Sequence, residues 1–371
     1  MDFKSYKYKY LIIFLLSCYF IIIYENIIIF NVSNNSKDSK RIGIIGYKSD
    51  INIGNNLVKY SMYMILKRLG FRPTLIALKS KKNIYFLRKY LDIEEIEEYN
   101  QLNEDKYDIL VVNSDQTWSY KYKYLLEAGF LSFAKNWIIH KFVYAASLAH
   151  DRWKVSKKIL KKAKILVKQF SGVSVREKSS VNIIKNILGI KPTLVLDPTF
   201  LLDKSDYLKL IENFNYNIDI TENYLCTYIL DNSNIIKDFV RDASKYFHYK
   251  ILPIQFNVDK YIEKFIFSLN ICKSMITDSF HGTVFSIIFN KPFISFINNV
   301  RRGKDRFVSL NETLELTNRV IFPKKFEEND IAMLKHNPKI NIKQFNKLKR
   351  DSINFIMEIF ACISNEIFYN I

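Results

Sequence analysis

The sequence predicts an α/β protein of two Rossmann-like, doubly wound parallel-sheet domains facing one another across a cleft, with an apolar helix at the N-terminus. Three observations carry this. The chain has 371 residues, more than one hydrophobic core usually organises. From Arg41 onward, short apolar runs of strand length alternate with amphipathic stretches of helical length, the pattern of crossovers that place helices on both faces of a sheet. Between Asp203 and Asn223 that pattern gives way to polar, irregular sequence, and then it resumes.

The first segment, residues 1–38, stands apart. Lys4, Lys7 and Lys9 precede an apolar run from Leu11 to Tyr24, and Ile27 to Phe30 follow after Glu25 and Asn26. A spanning helix needs roughly 20 apolar residues, and the run reaches that length only with Glu25 and Asn26 near its end. Asn31 to Ser39 offers only Ser and Asn as small residues, so an uncleaved membrane anchor is expected rather than a signal peptide. An upstream start codon ahead of a soluble enzyme is the competing account. Lys37, Lys40 and Arg41 add positive charge downstream, so charge leaves the orientation open.

Residues 39–202 form the first predicted domain, with strands at Ile42 to Ile45, Thr74 to Leu78, Tyr107 to Val112, Phe142 to Ala146, Gly172 to Val175 and Thr193 to Leu196. A helix joins the first two: Leu57, Ser61, Met64 and Ile65 share one face, and Gly70 followed by Pro73 gives an ordinary C-terminal signal. Glu177 to Leu188 is a second helix, with Val181, Ile184 and Leu188 on one face. Lys154 to Lys168 reads as the solvated face of a helix. Residues 203–223 are the predicted linker. The second domain, 224–330, has strands at Tyr224 to Leu230, Lys250 to Ile254, Ser274 to Thr277, Phe293 to Phe296 and Arg319 to Ile321, with helical stretches such as Tyr261 to Leu269 between them. A basic helix around Ile342 to Ile363 fills the tail, 331–371.

Composition narrows the function. A chain with 49% hydrophobic and 25% charged residues can build large cores and is not disordered. The net charge of +19 has two readings. Lys, Ile, Asn, Tyr and Phe are abundant together, as in a genome rich in A and T, which puts much of the lysine on solvated faces; the alternative is a basic cleft serving an anionic donor or polysaccharide. No nucleic-acid motif accompanies the charge, so nucleic acid is not an expected partner. The four cysteines, Cys18, Cys226, Cys272 and Cys362, are too scattered for a zinc site or a disulfide framework, and no metal is expected.

Ligands of such sheets bind beyond the carboxyl ends of the strands, which singles out four places. Gly54 and Asn55 follow the first strand, as a binding loop or a plain turn. Asn113-Ser114-Asp115-Gln116-Thr117-Trp118 follows Ile109 to Val112, where Asp115 or Ser114 either caps the next helix or works at the site. Arg176 ends a strand and opens a helix, placed to clamp a carboxylate or phosphate or to form a surface salt bridge. The strongest place is Thr277-Asp278-Ser279-Phe280-His281-Gly282. His281, one of only five histidines, stands at a helix N-terminus, which disfavours its charged form, while Asp278 nearby favours it. A general acid is tuned in this way.

Asn52-Ile53-Gly54-Asn55, Ser114-Asp115-Gln116-Thr117-Trp118, Tyr144-Ala145-Ala146-Ser147, Ser174-Val175-Arg176-Glu177, Leu196-Asp197-Pro198-Thr199 and Thr277 to Ser286 occur here in one order. In this the chain resembles the polysaccharide pyruvyltransferase family, from Arg41 to about Ile321. The resemblance implies a GT-B fold whose second domain binds the donor. It also implies transfer of the enolpyruvyl carbons of phosphoenolpyruvate onto two hydroxyls of a saccharide or polysaccharide precursor, forming a ketal and releasing phosphate, with no cofactor beyond this co-substrate.

On that resemblance His281 is the acid and Arg176 a donor contact, with Asp278 and Ser279 on the donor side, Asp115 the candidate base, and Gly54, Asn55 and Gln116 on acceptor-side or structural loops. Some family members carry an Arg two residues before the His, where this chain has Ser279; Arg301, Arg302 and Arg306 are the candidates to supply the phosphate contact instead. Asn113 replaces a common Gly, and Ala149 stands where Gly is frequent. Two other classes remain open: a GT-B glycosyltransferase using a nucleotide sugar, and an inactive polysaccharide-binding relative. Phosphoenolpyruvate is cytosolic, so the expected location is the membrane with the catalytic domain facing the cytoplasm.

Overall fold

The computed structural model describes residues 39–46, 52–79, 85–231, 233–255, 260–297, 303–316, 318–322, 326 and 328–369. The apolar helix expected within 1–38 lies outside the described residues. Among those described, no helix is long and apolar enough to cross a membrane.

Seven parallel strands make the first sheet: β1 (Arg41–Ile45), β2 (Arg72–Leu78), β3 (Ile93–Ile96), β4 (Ile109–Val112), β5 (His140–Ala146), β6 (Gly172–Val175) and β7 (Thr193–Leu194). Five more make the second: β8 (Tyr224–Tyr228), β9 (Lys250–Pro253), β10 (Ser274–Thr277), β11 (Phe293–Phe296) and β12 (Val320–Ile321). The helices are α1 (Ile53–Arg68), α2 (Tyr85–Tyr90), α3 (Lys157–Leu166), α4 (Lys178–Leu188), α5 (Lys204–Leu208), α6 (Asn234–Phe247), α7 (Tyr261–Ile271), α8 (Phe280–Ile288), α9 (Asp305–Leu314), α10 (Glu328–Ala332) and α11 (Ile342–Tyr369). The first sheet runs β3-β2-β1-β4-β5-β6-β7 and the second β12-β11-β10-β8-β9. Strand order therefore reverses between β1 and β4 and again between β8 and β10, and each reversal opens a crevice at the carboxyl ends of its strands.

The apolar strand runs are where the sequence places them, because a strand covered on both faces has to be apolar throughout. The exception is β3, which the sequence reading misses. Its residues Ile-Glu-Glu-Ile lie on the edge of the sheet, where Glu95 pairs with Arg88 and Glu94 with Lys106. Charge of this kind protects an edge from further pairing and hides the strand from a search for apolar runs.

Helix α1 is buried nearly all round, from Ile53 to Tyr63, because it is covered by the first sheet on one side and by the second domain on the other. Its polar residues find partners across that junction: Asn56 Nδ2 donates to Tyr261 Oη at 2.5 Å and Ser61 Oγ lies 2.8 Å from Tyr207 Oη. The interval expected to be an irregular linker is partly helical. Helix α5 buries Tyr207, and Asp206 accepts from Arg68 on α1. At the other end of the chain α11 returns to the first domain, where Phe360 stacks on Phe71 at 3.9 Å and Ser352 Oγ accepts the Leu196 N–H at 2.9 Å.

Candidate active site

The crevice of the first sheet is built around the start of α1. Asn52 caps this helix, its side chain accepting the Asn55 N–H at 2.9 Å, and this local bond explains the turn. Gly54 does something further. A Cβ added there would lie 2.0 Å from His281 Nδ1 and 2.3 Å from its Cγ, so only a glycine lets the imidazole of the second domain rest on the α1 backbone.

On the facing side, the turn from β10 into α8 is held by its own side chains. Ser279 caps α8, accepting the Gly282 N–H at 3.3 Å, and Thr277 Oγ1 accepts the Ser279 N–H while donating to Tyr228 O. The Asp278 carboxylate accepts the N–H groups of Leu230 at 2.7 Å and Asp231 at 2.8 Å, which ties together the loops that follow β8 and β10. Asp278 and Ser279 thus shape the turn that presents His281. The carboxylate set against the imidazole is a different one: Asp197 Oδ2 stands 3.6 Å from Nε2. His281 is 5% exposed, and its Nε2 has no hydrogen-bond partner among the described residues.

Arg176, at the end of β6, is the hub of a buried ionic cluster. It donates from Nη1 to Asp197 and to Ser114 Oγ at 3.4 Å, from Nη2 to Asp115 Oδ1 at 3.1 Å, and from Nε to Glu177 Oε1 at 3.4 Å. Asp115 occupies the N-cap position of a short 3₁₀ turn, Gln116–Trp118, yet its side chain makes no capping bond there, and its φ of 72° is unusual for a residue with a Cβ. The side chain is thus committed to the Arg176 cluster and not to a helix cap. Gln116 opens that turn half-buried, and the Trp118 indole belongs to the core, stacked on Phe130.

Arg306, on α9, completes the group. Its Nη1 lies 3.7 Å from Asp115 Oδ1, and its guanidinium and that of Arg176 both pack on the Phe280 ring, at 5.1 and 4.9 Å from the centroid. The loop before α9 turns at Gly303, φ 79°, where a Cβ would meet Ala149 O at 2.5 Å. Ala149 itself has φ 63°, a left-handed conformation that glycine adopts at less cost. Arg301 and Arg302 lie outside the described residues. Arg176, Asp197, Phe280 and Arg306 line a narrow pocket between the two domains.

The charges are strongly coupled. Burial pushes the Asp197 carboxyl up, but Arg176 first, then His281 and the Thr199 bonds, outweigh it and hold it well below the usual range. Asp115 is likewise lowered, burial opposing and Arg176, His281 and Arg306 prevailing. Arg176 is raised: its three carboxylates overcome burial. Arg306 goes the other way, down to about 10, through burial and the nearby Arg176 cation. At Arg176 the carboxylates outweigh burial, whereas at Arg306 burial and the neighbouring cation outweigh Asp115, Glu177 and Asp197.

The polysaccharide pyruvyl transferase family description matches residues 52–299, a span that contains every member of this cluster except Arg306. The chain belongs to this family. No curated protein sequence matches it. Among solved structures it is similar to a UDP-GlcNAc 2-epimerase from Methanocaldococcus jannaschii, at 14% identity and a TM-score of 0.53, over 84% of this chain and 98% of that one. A UDP-GlcNAc 2-epimerase from Neisseria meningitidis bound to UDP-GlcNAc is similar at 9% identity and a TM-score of 0.53, over 87% and 99%. At such identities the likeness shows the fold alone, two parallel-sheet domains of GT-B type.

Within the family fold, the structure brings His281, Asp115, Arg176, Arg306 and Gly54 to one point. Asn55 contributes to the α1 cap beside them, while Asp278 and Ser279 act on the turn and Gln116 on a neighbouring one. Asp197 is the residue the sequence reading does not assign. It follows a strand of only two residues and precedes Pro198, and its Oδ1 accepts from the Thr199 N–H and hydroxyl, so by local pattern it is a cap. Its position at a strand end was the available signal.

Proposed function

We propose that this transferase moves the pyruvyl group of phosphoenolpyruvate onto two hydroxyls of a saccharide acceptor, forming a cyclic ketal and releasing phosphate. The observation that carries the reading is the buried His281 Nε2, unbonded and set 3.6 Å from the Asp197 carboxylate, at the point where the two crevices meet. An imidazolium there can deliver its Nε2 proton to the donor methylene carbon, with the Asp197 carboxylate supporting the charged ring. C2 becomes cationic, and an acceptor hydroxyl adds to it while its proton passes to Asp115. Phosphate then leaves C2 and the second hydroxyl takes its place. One hydroxyl proton ends, through the protein, on the new methyl group, and the other leaves with phosphate. Arg306 is the preorganised cation for the donor phosphate, filling the role left open by Ser279. Arg176 holds Asp115 and Asp197 in place.

The test is donor choice. Purified protein with a panel of saccharides should release phosphate from phosphoenolpyruvate, and phosphoenolpyruvate should raise its melting temperature where UDP does not. Nucleotide release from sugar nucleotides without any phosphate release would overturn the reading. His281→Ala should lose turnover by orders of magnitude at an unchanged melting temperature; a variant that keeps its turnover removes the acid assigned here.

A further inference from the structure

Helix α3 carries a charge pattern that the site does not use. Between Asp151 and Glu177 the sequence has no acidic residue, while Lys154, Lys157, Lys158, Lys161, Lys162, Lys164 and Lys168 crowd into it. All seven are exposed, and none of their side chains has a hydrogen bond or ion pair among the described residues. Some exposed cations elsewhere on the same domain are paired, as in Lys79–Glu97, Arg88–Glu95 and Lys106–Glu94, and those unpaired among the described residues, such as Lys135, Lys185 and Lys191, do not cluster in this way.

The five lysines inside α3 point one way. At 3.6 residues per turn, Lys157, Lys158, Lys161, Lys162 and Lys164 fall within an arc of about 160°, with Lys154 and Lys168 extending the stripe at its ends. Ala163 and Leu166 face the core on the opposite side. Ile165 lies inside the lysine arc and is 59% exposed. An apolar side chain in the middle of a one-sided field of lysines suits a headgroup layer, where ammonium groups meet lipid phosphates and the methylene stems and the isoleucine reach the acyl boundary.

We propose that the outer face of α3 docks the first domain on an anionic lipid bilayer. A flat bilayer fits better than a nucleic acid: the stripe has no aromatic residue on which a base could stack and no arginine fork for its phosphates. This surface is independent of the pyruvyl-transfer reading, and it is separate from the apolar run Leu11 to Tyr24.

The experiment is flotation of the full chain with phosphatidylcholine vesicles in competition with vesicles containing equal parts of phosphatidylcholine and phosphatidylglycerol. The variant is Lys157→Gln/Lys161→Gln/Lys164→Gln, all exposed positions, with a thermal melt to show that it folds. Each lysine near an anionic surface contributes up to roughly five-fold, so the variant should lose on the order of 100-fold in preference for the anionic vesicles. Capture by pure phosphatidylcholine, to which the N-terminal run contributes equally in both proteins, should not change, and the wild-type preference should shrink as salt rises. Ile165→Ser should weaken capture several-fold more. An unchanged preference in the triple variant, no preference in the wild type, or wild-type binding to single-stranded RNA in place of vesicles would each overturn the proposal.

Discussion

Replacing Gly54 by Ala adds one methyl group at the contact between the two domains, and the consequences for stability and for turnover should separate. The added Cβ would lie 2.0 Å from His281 Nδ1, where an ordinary contact is about 3.5 Å, so the ring must withdraw by about 1.5 Å. Overpacking of this kind costs about 1–3 kcal/mol, and the better helix propensity of Ala returns at most about 1 kcal/mol. The net loss is therefore about 0–3 kcal/mol, a few degrees of melting temperature for a chain of this length. A displacement of about 1 Å in a catalytic group can lower the rate about 100-fold. The expected result is a near-normal melt, a fall in phosphoenolpyruvate-dependent phosphate release of about that size, and displaced imidazole signals for His281 in a nitrogen-detected titration. Normal turnover with unmoved His281 signals would refute the argument that glycine seats the imidazole.

Arg176→Met should be the most destabilising single change in the site, by about 3–5 kcal/mol in denaturant unfolding, because it strands Asp115, Asp197 and Glu177 as buried carboxylates. Arg176→Lys should recover little, since an ammonium cannot address three carboxylates as a planar fork does. Arg306→Met should leave resting stability equal or slightly higher, because burial and Arg176 already penalise that charge, while abolishing the rise in melting temperature given by phosphoenolpyruvate. Acid unfolding should show the lowered carboxyls. A group whose folded pKa is depressed contributes stability above its unfolded value and loses it as pH falls through the folded one. Stability from Asp197 and Asp115 should thus hold down to about pH 4 and fall only below it, and Asp197→Asn should flatten that acid limb in urea titrations.

Much of this architecture is legible in the sequence because burial on both faces forces a parallel strand to be apolar; β6, β10 and β11 match their predicted limits. Two kinds of feature are not legible. Strand β3 carries edge charges in place of an apolar run, and its identity depends on pairing with β2. The residues between Asp203 and Asn223 look polar because the contacts that order them, Tyr207 with Ser61 and Asp206 with Arg68, come from a helix far away in the chain. The site divides the same way. His281, Arg176 and Asp115 announce themselves at strand ends, but which carboxylate faces the imidazole does not, since Asp278 is three residues from His281 in sequence and Asp197 is eighty-four. Sequence proximity favours the first. The backbone N–H groups of Leu230 and Asp231 claim it, leaving the second.

That substitution of one carboxylate for another also reassigns the arginines. With Asp197 in that place, one oxygen, Oδ2, is shared between the Arg176 guanidinium and the His281 ring, and the arginine becomes the strut that fixes the imidazole's partner. On the proposed reaction, the phosphate ligand is then sought in a cation other than Arg176, which already pairs with three carboxylates. Arg306 is the candidate on that reading: it packs on the same Phe280 ring as Arg176, its Nη1 lies 3.7 Å from Asp115 Oδ1, and burial and the Arg176 cation lower its pKa. The two arginines are alike in burial and in their aromatic support, and they differ in the balance of charge: the carboxylates outweigh burial at Arg176, whereas burial and the Arg176 cation outweigh them at Arg306, and this difference is why the proposed reaction gives Arg176 the positioning role and Arg306 the anionic donor.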